Sequence, residues 1–86
     1  MYFAVTEVAP LSNYMLHLKF KNDEEKLFDM KPYLNTGIFK RLKDEAVFKT
    51  AKVSFDTVGW ANEVDIDPET LYHESIGVEN SVVTKK

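Results

Sequence analysis

Apolar residues along this chain fall into two spacings, and the switches between them mark the elements. Tyr14, Leu16, Leu18 and Phe20 alternate with Met15, His17 and Lys19, the period of two expected of a strand with one face in a core. Residues 2–8 are rich in β-branched and aromatic side chains and predict a strand before it, with Pro10, Ser12 and Asn13 supplying the turn. Residues 21–25 read as a polar hairpin turn, and Leu27 and Phe28 as a returning strand that ends near Asp29. Three antiparallel strands are therefore expected to open the fold.

The spacing then lengthens. Pro32 fits the start of a single helical turn closed by Asn35, Thr36 and Gly37. Ile38, Phe39 and Leu42 have helical spacing, and Asp44 suits the cap of a second short turn carrying Val47 and Phe48. Phe39, Leu42, Val47 and Phe48 are expected to lie across a sheet face. Alternation returns at residues 51–55, which predict a strand with Ala51, Val53 and Phe55 facing one way, then a turn at Asp56 and Thr57 and a return through Val58, Gly59 and Trp60. Asn62 marks a turn into Val64, Asp65 and Ile66, where apolar and acidic residues alternate. Asp67 is a good N-cap, Pro68 fits the first helical position, Glu69 suits the positive helix end, and Leu71 is the first buried helical residue. That helix is expected to run from Pro68 to about Ser75. The pattern predicts an α+β fold: three N-terminal strands, short helices, two to three further strands and a C-terminal helix, around an antiparallel sheet.

A chain of 86 residues holds one core. The domain is placed at 1–76, with 77–86 as a flexible C-terminal tail in which Val82 and Val83 are the only strand-like residues. Aromatics make up 13% of the chain, which suits a small core because each ring buries a large area. With no cysteine, neither a disulfide nor a thiolate metal site is available. A net charge of −3 gives no general attraction to phosphate or anionic lipid. The first residues lack the basic start and apolar core of a signal peptide, and no apolar run reaches membrane-spanning length. The expectation is a cytoplasmic protein that binds no membrane.

Candidate chemistry changes little. Glu63, Asp65, Asp67 and Glu69 invite a cation, but they spread along a strand and have no glycine-centred calcium loop. His17 and His73 are the only histidines, too few for a zinc site without cysteine. Ser12, Ser54 and Ser75 sit in no nucleophile elbow, Asp29 and Asp65 make no pair without a cleft, and the three glycines form no phosphate loop. No catalytic residue, metal ligand or cofactor is assigned. Lys40, Arg41, Lys43, Lys49 and Lys52 form the one basic concentration, interleaved with Phe39 and Phe48. They are candidate nucleic-acid contacts, disfavoured by the acidic total. Tyr33, Trp60, Asn62 and Tyr72 are candidate interaction residues, since such amphipathic side chains anchor interfaces. For Trp60 the competing reading is completion of the core.

The order of these features resembles a small bacterial family of unknown function, the domain-of-unknown-function family 2442. The resemblance rests on the run from Tyr14 to Phe20, the exit Phe28-Asp29-Met30 with Pro32-Tyr33-Leu34, and the spacing of Phe39, Leu42 and Phe48. Its most specific part is Trp60, Asn62, Val64-Asp65-Ile66, Pro68-Glu69 and Leu71-Tyr72. After Trp60 the family resembles Trp-Pro-Asn-Gly, whereas Ala61 and Glu63 stand here, so a different or more strained turn is implied. The resemblance implies a compact α+β domain without assigned catalytic residues. Some relatives are companions in toxin–antitoxin-type operons or carry an added DNA-binding helical domain, for which this chain has no room. The expected function is a non-catalytic protein-interaction module, an accessory or antitoxin-like partner of another small protein or of itself as a homodimer. The alternative is a nucleic-acid-associated regulator using the surface from Lys40 to Lys52.

Overall fold

The alternation of residues 14–20 sets the sheet. In the computed structural model, which describes residues 2–61 and 63–77, β1 (Val5–Leu11), β2 (Met15–Phe20) and β3 (Glu25–Asp29) pair antiparallel in sequence order. On β2, Leu16 and Leu18 are fully buried and Phe20 nearly so, while Met15, His17 and Lys19 stay half-exposed. A period of two permits only that outcome once one face is covered.

The cover comes from the middle of the chain. Pro32 lies in a 3-10 turn over Lys31–Tyr33, and a longer 3-10 segment spans Gly37–Lys43. With three residues per turn, Phe39 and Leu42 fall on one side of that segment; Leu42 is fully buried and Phe39 packs against the core. Asp44 caps α1 (Glu45–Phe48) by accepting from the Ala46 amide at 3.0 Å, and Phe48 enters the core. A separate two-stranded hairpin, β4 (Lys52–Ser54) with β5 (Thr57–Gly59), packs beside β1. α2 (Pro68–Glu74) begins as the sequence predicts, with the Asp67 carboxylate accepting from the Thr70 amide at 3.0 Å and Leu71 fully buried. The architecture is α+β on an antiparallel sheet. Among the described residues no helix is long and apolar enough to cross a membrane.

The bounds differ from the pattern in five places. β1 begins and ends three residues later than the predicted 2–8 and takes in Pro10, which pairs with Leu16. It is an edge strand, where a residue without an N–H is tolerated. Tyr14 lies in no strand: it ends the tight turn at Ser12–Tyr14, where it and Asn13 have φ of 60° and 61°. Phe55 belongs to a turn and Thr57 to a strand, the reverse of the prediction, because Ser54 pairs with Thr57 and leaves a two-residue loop. Residues 64–66 keep the predicted alternation, with Val64 and Ile66 buried, but meet β5 through one bridge, Gly59 with Asp65. Finally, β6 (Ile76–Gly77) pairs with Lys26 and Leu27 as the fourth strand of the main sheet, in the order β1-β2-β3-β6. No period marks so short a strand. Residues 78–86, with the strand-like Val82 and Val83, lie outside the described residues.

Candidate docking surface

The β4–β5 hairpin is closed by Phe55 and Asp56. Phe55 has a φ of +54°, at the loop position that a type II′ turn reserves for glycine. A non-glycine residue in left-handed backbone costs about 1–2 kcal/mol. Nothing in the folded chain offsets this through burial, since Phe55 is 98% exposed. It is the most exposed of the large apolar side chains described, ahead of Ile76 at 63% and Ile38 at 51%.

The backbone behind this ring is held firmly. The Val5 amide donates to the Asp56 carbonyl at 3.2 Å, and the Tyr2 hydroxyl donates to the Asp56 carboxylate at 3.1 Å. One residue on, the buried Thr57 hydroxyl donates to the Ile66 carbonyl at 2.7 Å, tying the hairpin to the segment that carries Asp65 and Asp67. The hydrogen bond to Asp56 holds the Tyr2 phenol above its usual range, reinforced by lost hydration and by the charges of Asp56, Glu69 and Asp67. Phe55 therefore projects from a rigid base in acidic surroundings.

The four interaction candidates sit elsewhere. Trp60 is 3% exposed; its indole N–H donates to the Phe48 carbonyl at 3.0 Å and its ring packs against Phe48. That places it in the core and leaves almost no surface for a partner. Tyr33 is half-buried, stacked on Phe28 with centroids 5.5 Å apart, and burial followed by the charge of Glu74 raises its hydroxyl pKa. Asn62 lies outside the described residues. Tyr72 packs edge-on against Phe20 at 4.9 Å and Phe3 at 5.8 Å, with the Lys26 ammonium 3.7 Å from its ring centroid.

The Tyr72 hydroxyl donates to the Glu24 carboxylate. That bond, with a second from Asn22, lowers the Glu24 pKa, and the same bond raises that of Tyr72. The depressed carboxylate contributes stability above about pH 4.3, lost as pH falls through its folded value; the raised phenol contributes below about pH 10, lost as pH rises through its own. Tyr72→Phe is expected to lower stability by less than about 1 kcal/mol near neutrality, because the pair is exposed. Urea midpoints across pH check this: the gap from wild type should close on both flanks, and a pH-independent gap contradicts it.

Lys40, Arg41, Lys43, Lys49 and Lys52 are all exposed, and none forms an ion pair with a described residue. They come from the Gly37–Lys43 segment, the end of α1 and the start of β4. Phe39 and Phe48 point to the core rather than interleaving with them. His17 pairs with Glu25 at 3.2 Å, whereas His73 meets the Tyr72 ring at 5.4 Å. Among the described residues no group of three or more His, Asp or Glu side chains converges as a metal site would require. Ser75 donates to the Tyr72 carbonyl at 2.9 Å, and Asp29 is taken up by the Lys31 amide and ammonium at 2.9 and 3.1 Å.

A second feature lies at the far end of β1. Pro10, Leu11, Ser12, Tyr14, Glu45, Phe48 and Lys49 line an open cleft of about 390 Å³. Tyr14 packs edge-on against Phe48 at 5.3 Å and donates its hydroxyl to the Lys43 carbonyl.

A family model described as Protein of unknown function (DUF2442) matches residues 5–77. The chain belongs to that family. No curated protein and no solved structure gives a significant match. Within this DUF2442 domain, the run from Trp60 to Tyr72 that carries the resemblance is largely scaffold: Trp60, Val64, Ile66 and Leu71 are buried and Asp67 is a helix cap. Glu63, where the resemblance leads one to expect glycine, has a φ of +69° and donates its amide to the Trp60 carbonyl at 3.0 Å. The glycine-like turn survives without its glycine. Phe55, which sequence reasoning assigned to a strand face, lies between Phe48 and Trp60, outside the residues that carry the resemblance to the DUF2442 pattern. The signal that locates it is register: counting back from Gly59 opposite Lys52 leaves Phe55 and Asp56 as the loop.

Proposed function

We propose that this domain is a non-catalytic protein-binding module whose docking element is the tip of the β4–β5 hairpin. The supporting observation is Phe55: almost fully exposed, held in left-handed backbone, and mounted on a base fixed by Tyr2, Val5 and Thr57. Its backbone costs stability that its exposed ring does nothing to offset, and rigid aromatic anchors of this kind dominate interface energetics. An accessory or antitoxin-like companion of another small protein is the biological form of this reading. Replacing Phe55 with the photo-crosslinker p-benzoylphenylalanine tests it in cells that make the chain. A discrete protease-sensitive adduct is expected on irradiation. No protein adduct, or one removed by nuclease alone, overturns the reading; the nuclease result instead supports a nucleic-acid regulator using the surface from Lys40 to Lys52.

A further inference from the structure

Two backbone pairings decide what surrounds Phe55. The bridge between Gly59 and Asp65 is antiparallel, and beside it the Ile66 amide donates to the Val58 carbonyl at 3.2 Å. Continued toward the tip, that register sets Asp67 beside Thr57, where the bond from the Thr57 hydroxyl to the Ile66 carbonyl holds it. On the other flank, the bond from the Val5 amide to the Asp56 carbonyl brings Tyr2 within reach of the Asp56 carboxylate. Asp67 caps α2, whose first turn carries Glu69. Asp56, Asp67 and Glu69 are exposed, and the charges of all three act on the Tyr2 hydroxyl. Lys52, the basic residue of the hairpin, lies opposite Gly59 and three strand steps before Phe55, or about 10 Å away.

The tip thus presents an aromatic ring beside clustered carboxylates, and that combination selects among occupants. Nucleic acid and anionic lipid carry phosphate, which such a field repels. A second copy is disfavoured as well. The net charge of −3 sets copies against one another, and the cleft at the far end of β1 has one acidic and one basic residue in its lining, so it offers no basic rim. A projecting ring fits an apolar socket, and carboxylates around it fit cations at the mouth. Complementary charge of this kind speeds correct encounter and penalises wrong partners.

We propose that the partner of the hairpin tip is a different, basic protein, with an apolar socket for the Phe55 ring and lysine or arginine side chains at its mouth to meet Asp56 and Asp67. This rests on the protein-binding reading above and names the chemistry of its partner. The ring supplies most of the affinity, because an aromatic anchor leaves water on docking. The carboxylates act chiefly on the rate of encounter and the choice of partner, since exposed charges are screened and add little to affinity.

The full chain carrying p-benzoylphenylalanine at position 55 tests the proposal when irradiated briefly, at graded sodium chloride, in lysate of cells that make it. The partner peptide of the adduct is then mapped by mass spectrometry, and the mapped site should be apolar and flanked by lysine or arginine. Asp56→Asn combined with Asp67→Asn removes two charges, yet leaves an amide oxygen to accept from Tyr2 and another to cap α2. Under brief irradiation the yield follows encounter, so this pair should lower it about ten-fold at low salt, the lower end of electrostatic steering. The difference should vanish near 1 M salt, where the screening length is about 3 Å. Asp56→Asn alone repeats the comparison should the pair fail to fold by circular dichroism. Asp44→Asn combined with Glu45→Gln changes the net charge equally, but beside the cleft at the other end of β1, and should leave the yield unchanged. Four results overturn the proposal while leaving the protein-binding reading in place: a mapped site without basic residues, a yield indifferent to the Asp56 and Asp67 changes, an equal loss from the Asp44 and Glu45 changes, or an adduct of the chain with itself. Absence of any protein adduct overturns both.

Discussion

Trp60→Ala is expected to remove about 3–5 kcal/mol of folding stability. Its ring is buried against Phe48, and its indole N–H donates to the Phe48 carbonyl inside the core. At roughly 0.05–0.15 kcal/mol per residue a domain of this length holds about 4–13 kcal/mol in all, so the variant loses a large share of its stability and is unfolded at 25 °C if the total lies at the low end. Trp60→Phe separates the packing from the hydrogen bond. It keeps most of the apolar contact and leaves the Phe48 carbonyl with the Ala51 amide, which already donates to it at 3.2 Å. Its cost should fall to about 1–2 kcal/mol. Urea unfolding followed by circular dichroism checks both, because the variants lack the only tryptophan. A Trp60→Ala loss below about 1 kcal/mol contradicts a core role for this indole.

Phe55→Gly should do the opposite. Relief of left-handed backbone is worth about 1–2 kcal/mol, reduced by about 0.5–1 kcal/mol for the greater freedom glycine has in the unfolded chain. No burial is lost from a side chain that is 98% exposed. The net expectation is a gain of up to about 1.5 kcal/mol, with Phe55→Ala near neutral because alanine keeps the strained φ. The same Phe55→Gly substitution should weaken docking by about 2 kcal/mol or more, the scale for an aromatic anchor. Urea midpoints and partner binding, measured on one preparation, test the two halves together. A residue that lowers stability and raises binding is the signature of a functional position; a Phe55→Gly loss of stability places the ring in the scaffold instead.

Much of the scaffold was legible because it follows from strong local rules. Leu16, Leu18 and Phe20 had to share a face, Asp67 and Pro68 had to start a helix, and Asp44 had to cap a turn. What escaped was set by pairing between distant segments. Pro10 reads as a turn residue until β1 is known to be an edge strand. Phe55 reads as a strand residue until Ser54 is seen opposite Thr57. Alternation alone assigns Phe55 to the side of Ala51 and Val53, and a shift of one residue in the hairpin moves it from a strand face to the tip. The amphipathic residues singled out from sequence were large and local in their signal, and the fold uses Trp60 for packing and Tyr72 partly so. The best docking candidate is the aromatic residue that the fold does not use.

Fluorine NMR of the purified chain carrying 4-fluorophenylalanine only at position 55 tests that last point most directly. In dilute protein the resonance should be sharp and should shift with solvent isotope, as for a ring open to water; on docking to a crosslinked partner it should broaden and lose that shift. A resonance already insensitive to solvent in dilute protein, or one unchanged in every complex the chain forms, contradicts a hairpin tip built for contact.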